Sequence, residues 1–250
     1  MAQQFTYIAN WKMQKSFHDA VDFCITHKTQ LQELAQEAAL ILCPTFPALF
    51  PTAQHMHDTG VYIGAQNCSQ HQHGAFTGQV DALSLFQAGC TYCLVGHSEQ
   101  RNLFGESNEV VADKMLRVLE NNMTPIICIG ETQEQFHHKE TYHILEAQLE
   151  SALQKLIAYQ NSTFLIAYEP IWSIGTGIVP QIDYLNNLFS WLNQHIKTYA
   201  PTNPILLLYG GSVTDMNIRD LKQIPYVDGF LIGGASLDFK KLQNIVKYTY

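Results

Sequence analysis

The chain has 250 residues, 46% of them apolar, so it can bury a full core, and its length suits one α/β barrel. A net charge of −8 argues against nucleic acid as a partner, and any anion would have to be held by local devices. There is no apolar run of the roughly 18 residues a bilayer demands, and the opening "MAQQFTYIANWK" lacks a basic segment followed by an apolar one. Neither a membrane partner nor secretion is therefore expected, and the six cysteines are expected to stay reduced in a cytoplasmic setting.

One pattern recurs from end to end: a short apolar run, a polar or glycine-containing turn, then a helical stretch. The runs are Phe5–Asn10, Ala39–Pro44, Val61–Asn67, Tyr92–His97, Pro125–Gly130, Phe164–Glu169, Ile205–Gly211 and Gly229–Gly234. Between them, segments such as Val110–Leu119, Ile144–Leu156 and Tyr184–Ile196 repeat apolar residues three and four apart. Nearly continuous apolar runs alternating with helices predict parallel strands buried on both faces. Eight such units predict a closed (β/α)8 barrel in the α/β class, one domain over residues 1–250. An open doubly wound sheet is the competitor, but the G-x-G-x-x-G turn it usually carries is absent.

Parallel barrels present functional groups at the C-terminal ends of their strands. That rule places Asn10 and Lys12, Gln66 and Asn67, His97 and Glu99, Glu131, Glu169, Ser212, Gly233 and Gly234 on one rim. By position alone, Glu169 could be a solvated carboxylate. The loop behind it changes the reading: Pro170 and Trp172 stiffen its entry, and Gly175 and Gly177 permit close backbone approach. This is the profile of a lid, and a lid that excludes water raises the basicity of a carboxylate beneath it. His97 suits either a structural histidine or a catalyst. Ser98 and Glu99 read as a helix start, which disfavours imidazolium and predicts a neutral ring. "YGGS" (Tyr209–Ser212) and "IGGAS" (Ile232–Ser236) follow the last two strands, where barrels often bind phosphate through bare N–H groups. "CTYC" (Cys90–Cys93) has redox or zinc spacing but no second pair, and residues i and i+3 on a strand face opposite ways. The paired histidines at 55 and 57, 71 and 73, and 137 and 138 read as loop or surface residues.

"NWKMQ", "GAFTG" (Gly74–Gly78), "VGHSEQR", "CIGE" (Cys128–Glu131), "AYEPIWSIGTG", "YGGSV" and "GFLIGGASL" occur in that order along essentially the whole chain. In this combination the chain resembles the triosephosphate isomerase family, for which pKa tuning and loop closure are established properties. The resemblance implies a TIM barrel that interconverts dihydroxyacetone phosphate and D-glyceraldehyde 3-phosphate in glycolysis and gluconeogenesis, without metal or organic cofactor. It implies that Glu169 is the base, His97 the neutral electrophile, Lys12 the stabiliser of developing negative charge, Asn10 a supporting catalytic residue and Glu99 a carboxylate beside Lys12. It assigns the phosphate to the N–H groups of Gly175, Ser212, Gly233 and Gly234. The lid is Pro170, Ile171, Trp172, Ser173, Ile174, Gly175, Thr176, Gly177, Ile178, Val179 and Pro180. It also implies a homodimer through the Gln66–Gln79 loop, with Thr77 reaching the partner's site near Asn10.

Four features depart from the family pattern. Gln79 and Gln100 stand where glutamate and arginine are common, and Ser173 where alanine is usual. At the lid exit, Ile178–Val179–Pro180 puts a proline where the family has an alanine whose N–H donates to the hydroxyl of the tyrosine corresponding to Tyr209. Proline has no N–H to offer. Two other classes compete with the isomerase. One is a different phosphate-gripping barrel, such as an aldolase or another sugar-phosphate isomerase; an aldolase needs a Schiff-base lysine, and the eight runs carry none. A non-catalytic binding protein would signal itself by losing Glu169, Lys12 or His97, and all three are present.

Overall fold

Eight parallel strands close on themselves in chain order: β1 (Thr6–Asn10), β2 (Ala39–Cys43), β3 (Tyr62–Ala65), β4 (Tyr92–Val95), β5 (Thr124–Ile129), β6 (Phe164–Tyr168), β7 (Ile205–Tyr209) and β8 (Gly229–Ile232). The last strand pairs with the first, Thr6 lying opposite Gly229. The computed structural model describes residues 4–156 and 158–248; residues 1–3, 157 and 249–250 of the expected domain lie outside the described residues. Helices cover the outside of the barrel. After β1 come α1 (Phe17–Thr26) and α2 (Lys28–Glu37), and α3 (Leu49–Met56) and α4 (Ala82–Gln87) follow β2 and β3. The next strand is followed by α5 (Ser98–Phe104) and α6 (Asn108–Glu120), and β5 by α7 (Gln133–His137) and α8 (Thr141–Leu156). The last three strands lead into α9 (Ile182–Tyr199), α10 (Ile218–Leu221) and α11 (Phe239–Val246). None of the described helices is long and apolar enough to cross a membrane.

Successive residues of a strand face opposite ways, so each run must be apolar on both faces. Ile8, Ile41, Leu94, Ile126, Leu165, Leu208 and Leu231 fill the barrel interior, while their neighbours Tyr7, Ala9, Leu40, Leu42 and Ile127 pack under the helices. The interior has no spare room at β3, where a Cβ on Gly64 would sit 2.7 Å from Cys43 Sγ. Helix starts are fixed locally: α1 opens on a capping box between Ser16 and Asp19, and Ser107 caps α6 through its hydroxyl.

Apart from β1, which ends with its run at Asn10, the strands stop one or two residues before the apolar runs do. The hydrogen-bonded ladder ends first, and the rest of each run becomes rim. At β4, Gly96 takes a left-handed φ of 69° and turns the chain toward His97. Cys90 lies ahead of β4, so the "CTYC" pair does not share a strand.

Candidate active site

The rim at the end of β1 is held in an uncommon shape. Lys12 has a left-handed φ of 52°, costly for a residue with a side chain and kept only where surroundings enforce it. The Lys12 N–H donates to Asn10 Oδ1 at 3.0 Å, and Gln66 Nε2 donates to the carbonyls of Lys12 and Cys43 at 2.8 and 2.9 Å. The ammonium of Lys12 reaches across to Glu99 Oε1 at 2.7 Å.

His97 is the N-cap of α5 and is buried. The Glu99 N–H donates to its Nδ1 at 3.3 Å, which assigns the neutral ring's proton to Nε2. Nε2 in turn lies 3.1 Å from Glu169 Oε1, and Glu169 Oε2 accepts the Ser98 N–H at 3.1 Å. Burial by itself pushes the His97 pKa down, but the Glu169 carboxylate, with Glu99 beyond it, outweighs burial and raises it. The helix start alone predicts the opposite; the facing carboxylate is the element that local sequence does not show. Glu169 is shifted the other way. Burial pushes its pKa up, while His97, the Ser98 N–H and Lys12 bring it below the ordinary carboxylate value. The raised basicity expected under a lid is therefore not a property of this arrangement, in which the acid rests on its partners.

Glycines make the seat of Glu169. Its N–H donates to Ile129 O at 2.7 Å, and a Cβ on Gly130 would fall 1.8 Å from its carbonyl oxygen. A Cβ on Gly210 would fall 2.9 Å from its Cγ. Arg101 braces the same region, donating from Nε to Gly96 O at 2.8 Å and from Nη2 to Cys128 O at 3.2 Å. "CIGE", "YGGS" and "VGHSEQR" do not show this seat, because the Glu169 that Gly130 and Gly210 meet lies 39 and 41 positions away from them.

Glu131 does not join the cavity. It is fully buried and anchors the lid entry: its Oε1 accepts from Trp172 Nε1 and from the Tyr168 hydroxyl, both at 3.0 Å. Burial raises its pKa against those hydrogen bonds. Asn67 also leaves the rim, bonding Glu106 and Lys114 beneath it. The expected lid follows as a short 3₁₀ turn at Ile171–Ser173 and an exposed tip where Gly175 and Gly177 have φ of 70° and 79°. Pro180 is buried at its exit, immediately before the N-cap of α9.

A cavity of about 620 Å³ unites Asn10, Lys12, His97, Glu169, Gly175, Ser212, Gly233 and Gly234. Glu99 stands behind Lys12 rather than in the wall. At the Gly233–Gly234 end a Cβ would meet only Lys12 Cε, 3.6 Å from Gly233, so the backbone is open to an anion. The cavity thus pairs a carboxylate and an N–H-bearing imidazole, with an ammonium alongside and an anion-sized cradle opposite. Such a set suits proton transfer next to the carbonyl of a small anionic substrate. Among the described residues, no group of three or more His, Cys, Asp or Glu residues is placed to hold a metal ion.

The family model described as triosephosphate isomerase matches residues 5–249. Similar curated proteins named triosephosphate isomerase include that of Endomicrobium trichonymphae, 35% identical over 96% of this chain and 96% of that protein. The Aquifex aeolicus protein is 35% identical over 95% and 96% of the two chains, and that of Vibrio sp. strain ANT-300 is 38% identical over 98% of each.

Proposed function

The chain belongs to the triosephosphate isomerase family and interconverts dihydroxyacetone phosphate and D-glyceraldehyde 3-phosphate; from that premise we propose that Glu169 is its base, His97 its electrophile and Lys12 its oxyanion stabiliser. The observation that carries the reading is the pairing of Glu169 Oε1 with His97 Nε2 at 3.1 Å, inside the cavity that also holds the Lys12 ammonium. Substrate comes between the two side chains. Glu169 takes a proton from the carbon beside the carbonyl, and the electron pair moves onto the carbonyl oxygen. The Nε2–H of His97 and the ammonium of Lys12 stabilise the resulting enediolate, a division of labour established for this class of enzyme. Glu169 then returns the proton to the neighbouring carbon. With its carboxylate partner drawn away, His97 loses what raises its pKa, and burial and the helix start keep the ring neutral.

The phosphate is held by the N–H groups of Gly175, Ser212, Gly233 and Gly234, and closure of Pro170–Pro180 keeps water from an enediolate that could otherwise lose phosphate. Asn10 serves by holding Lys12 in place. The chain works as one barrel domain over residues 1–250, without metal or organic cofactor. It is a cytoplasmic homodimer, consistent with six free cysteines that are all buried. All nine residues from His71 to Gln79 are exposed, and Phe76, 42% exposed, stacks on His71 at 4.0 Å at the tip of the Gln66–Gln79 loop. An aromatic tip in water supports its docking beside the partner's site, with Thr77 reaching toward Asn10.

The test is a coupled assay with glyceraldehyde 3-phosphate, with and without chelator. Activity should survive chelation and depend on Glu169. Isomerisation that disappears with chelator, or that is unchanged in Glu169→Gln, would overturn the assignment.

A further inference from the structure

Ser173, fully buried at the lid entry, joins three separate segments through one oxygen. Its Oγ lies 2.6 Å from Ile178 O at the lid exit, 3.2 Å from the Tyr209 hydroxyl at the end of β7, and 3.3 Å from the Ser212 N in the loop beyond. A serine hydroxyl has one hydrogen and two lone pairs. The Ile178 carbonyl only accepts, so it takes the hydrogen. The Ser212 N–H only donates, so it fills one lone pair, and Tyr209 donates to the other. Every capacity of the hydroxyl is used. Gly211 makes room for the junction: a Cβ there would fall 2.2 Å from the Tyr209 oxygen and 2.7 Å from Ser173 Oγ. Pro180 brings no N–H to the lid exit; the Ser173 hydroxyl ties exit to entry, beside Thr176 Oγ1, which accepts from the Ile178 N–H and lies 3.1 Å from Ser173 O.

The Ser212 N–H faces two claims. Ser212 lines the anion end of the cavity, and here its N–H is taken by Ser173. We propose that Ser173 is a positioning residue that couples the lid to phosphate: its Oγ occupies the Ser212 N–H until a substrate phosphate displaces it, and that displacement frees the lid entry from Ser212 and Tyr209. This rests on the reading that the Ser212 N–H receives phosphate.

A bond that must be broken on binding counts against the ligand. Ser173→Ala removes it and leaves Tyr209 and Ser212 without that partner in the resting state, so phosphate should bind more tightly. One hydrogen bond corresponds to a change of about two- to tenfold. The experiment titrates wild-type protein and Ser173→Ala with inorganic phosphate, following the Ser212 amide by ¹H–¹⁵N NMR and competitive inhibition in the isomerase assay. The expected result is an amide that moves in both proteins, with phosphate bound about two- to tenfold more tightly by the variant. A merely structural role for Ser173 predicts equal or weaker binding. Equal or weaker binding with a moving amide overturns the coupling and leaves the phosphate site standing. An amide that stays still in both proteins overturns the phosphate reading itself, and the coupling with it. If Ser173→Ala does not fold, Tyr209→Phe removes one donor to the same oxygen and should tighten phosphate by about twofold; unchanged or weaker binding there overturns the proposal.

Discussion

Shortening the base by one methylene tests the mechanism where the structure gives it least slack. In Glu169→Asp the carboxylate retracts by up to about 1.5 Å, one C–C bond. The two hydrogen bonds it makes, both 3.1 Å, then stretch past bonding range. The main chain cannot advance to compensate, because Glu169 N is bonded to Ile129 O at 2.7 Å and Gly130 packs directly against its carbonyl. Misplacing a reacting group by about 1 Å costs on the order of 10²-fold, and a general base is worth about 10²–10⁴-fold in all. We therefore expect kcat to fall by about 10²–10³-fold in both directions. KM should change by less than about threefold, since the lost contact belongs to the transition state. Steady-state kinetics in each direction measure this, with a thermal melt to confirm folding. A wild-type kcat removes Glu169 from the mechanism, and a KM rise that accounts for the whole loss would show that the carboxylate only binds substrate.

Three further predictions concern charge, the lid and assembly. With an unreactive triose phosphate analogue seated between it and Glu169, His97 should be neutral, with its proton on Nε2, throughout the working pH range. Because Glu169 raises its pKa, Glu169→Gln should lower it. Imidazole ¹⁵N shifts report both, and an imidazolium in the analogue complex, or a free-enzyme pKa left unmoved by Glu169→Gln, would contradict the reading. In the closed state that the family resemblance implies, Pro180 offers no N–H partner to Tyr209, a loss of about 0.5–1.5 kcal/mol. Its fixed φ offsets this by reducing the open loop's entropy, by about 0.4–1 kcal/mol. Tyr209→Phe should therefore cost less kcat with Pro180 than in a Pro180→Ala background; equal large losses would sink the argument. For assembly, light scattering at micromolar concentration should find a dimer, and an active monomer would defeat the role given to the Gln66–Gln79 loop.

The barrel and most of its cavity were legible in the chain because they rest on local properties. Runs such as "ALILCP" and "ILLLYGG" are apolar at every position, and only a parallel strand covered on both faces can bury them. Repeating that unit eight times leads to closure, and closure brings the run-end residues Asn10, His97 and Glu169 to one rim. The glycine pairs after the last two strands likewise announce bare N–H groups wherever the chain goes. Contacts between segments distant along the chain were not legible. Glu131 looked like a rim residue and became the lid's anchor, because Trp172 and Tyr168 fold onto it. The direction of the His97 pKa reversed because Glu169, 72 positions away, faces its ring. Ser173 looked like a minor replacement for alanine, yet its hydroxyl joins Ile178, Tyr209 and Ser212. Periodicity follows from the geometry of a single strand or helix and survives in any surroundings. A hydrogen-bond partner or a facing charge is set by distances of a few ångströms between segments, and those distances exist only once the barrel has closed.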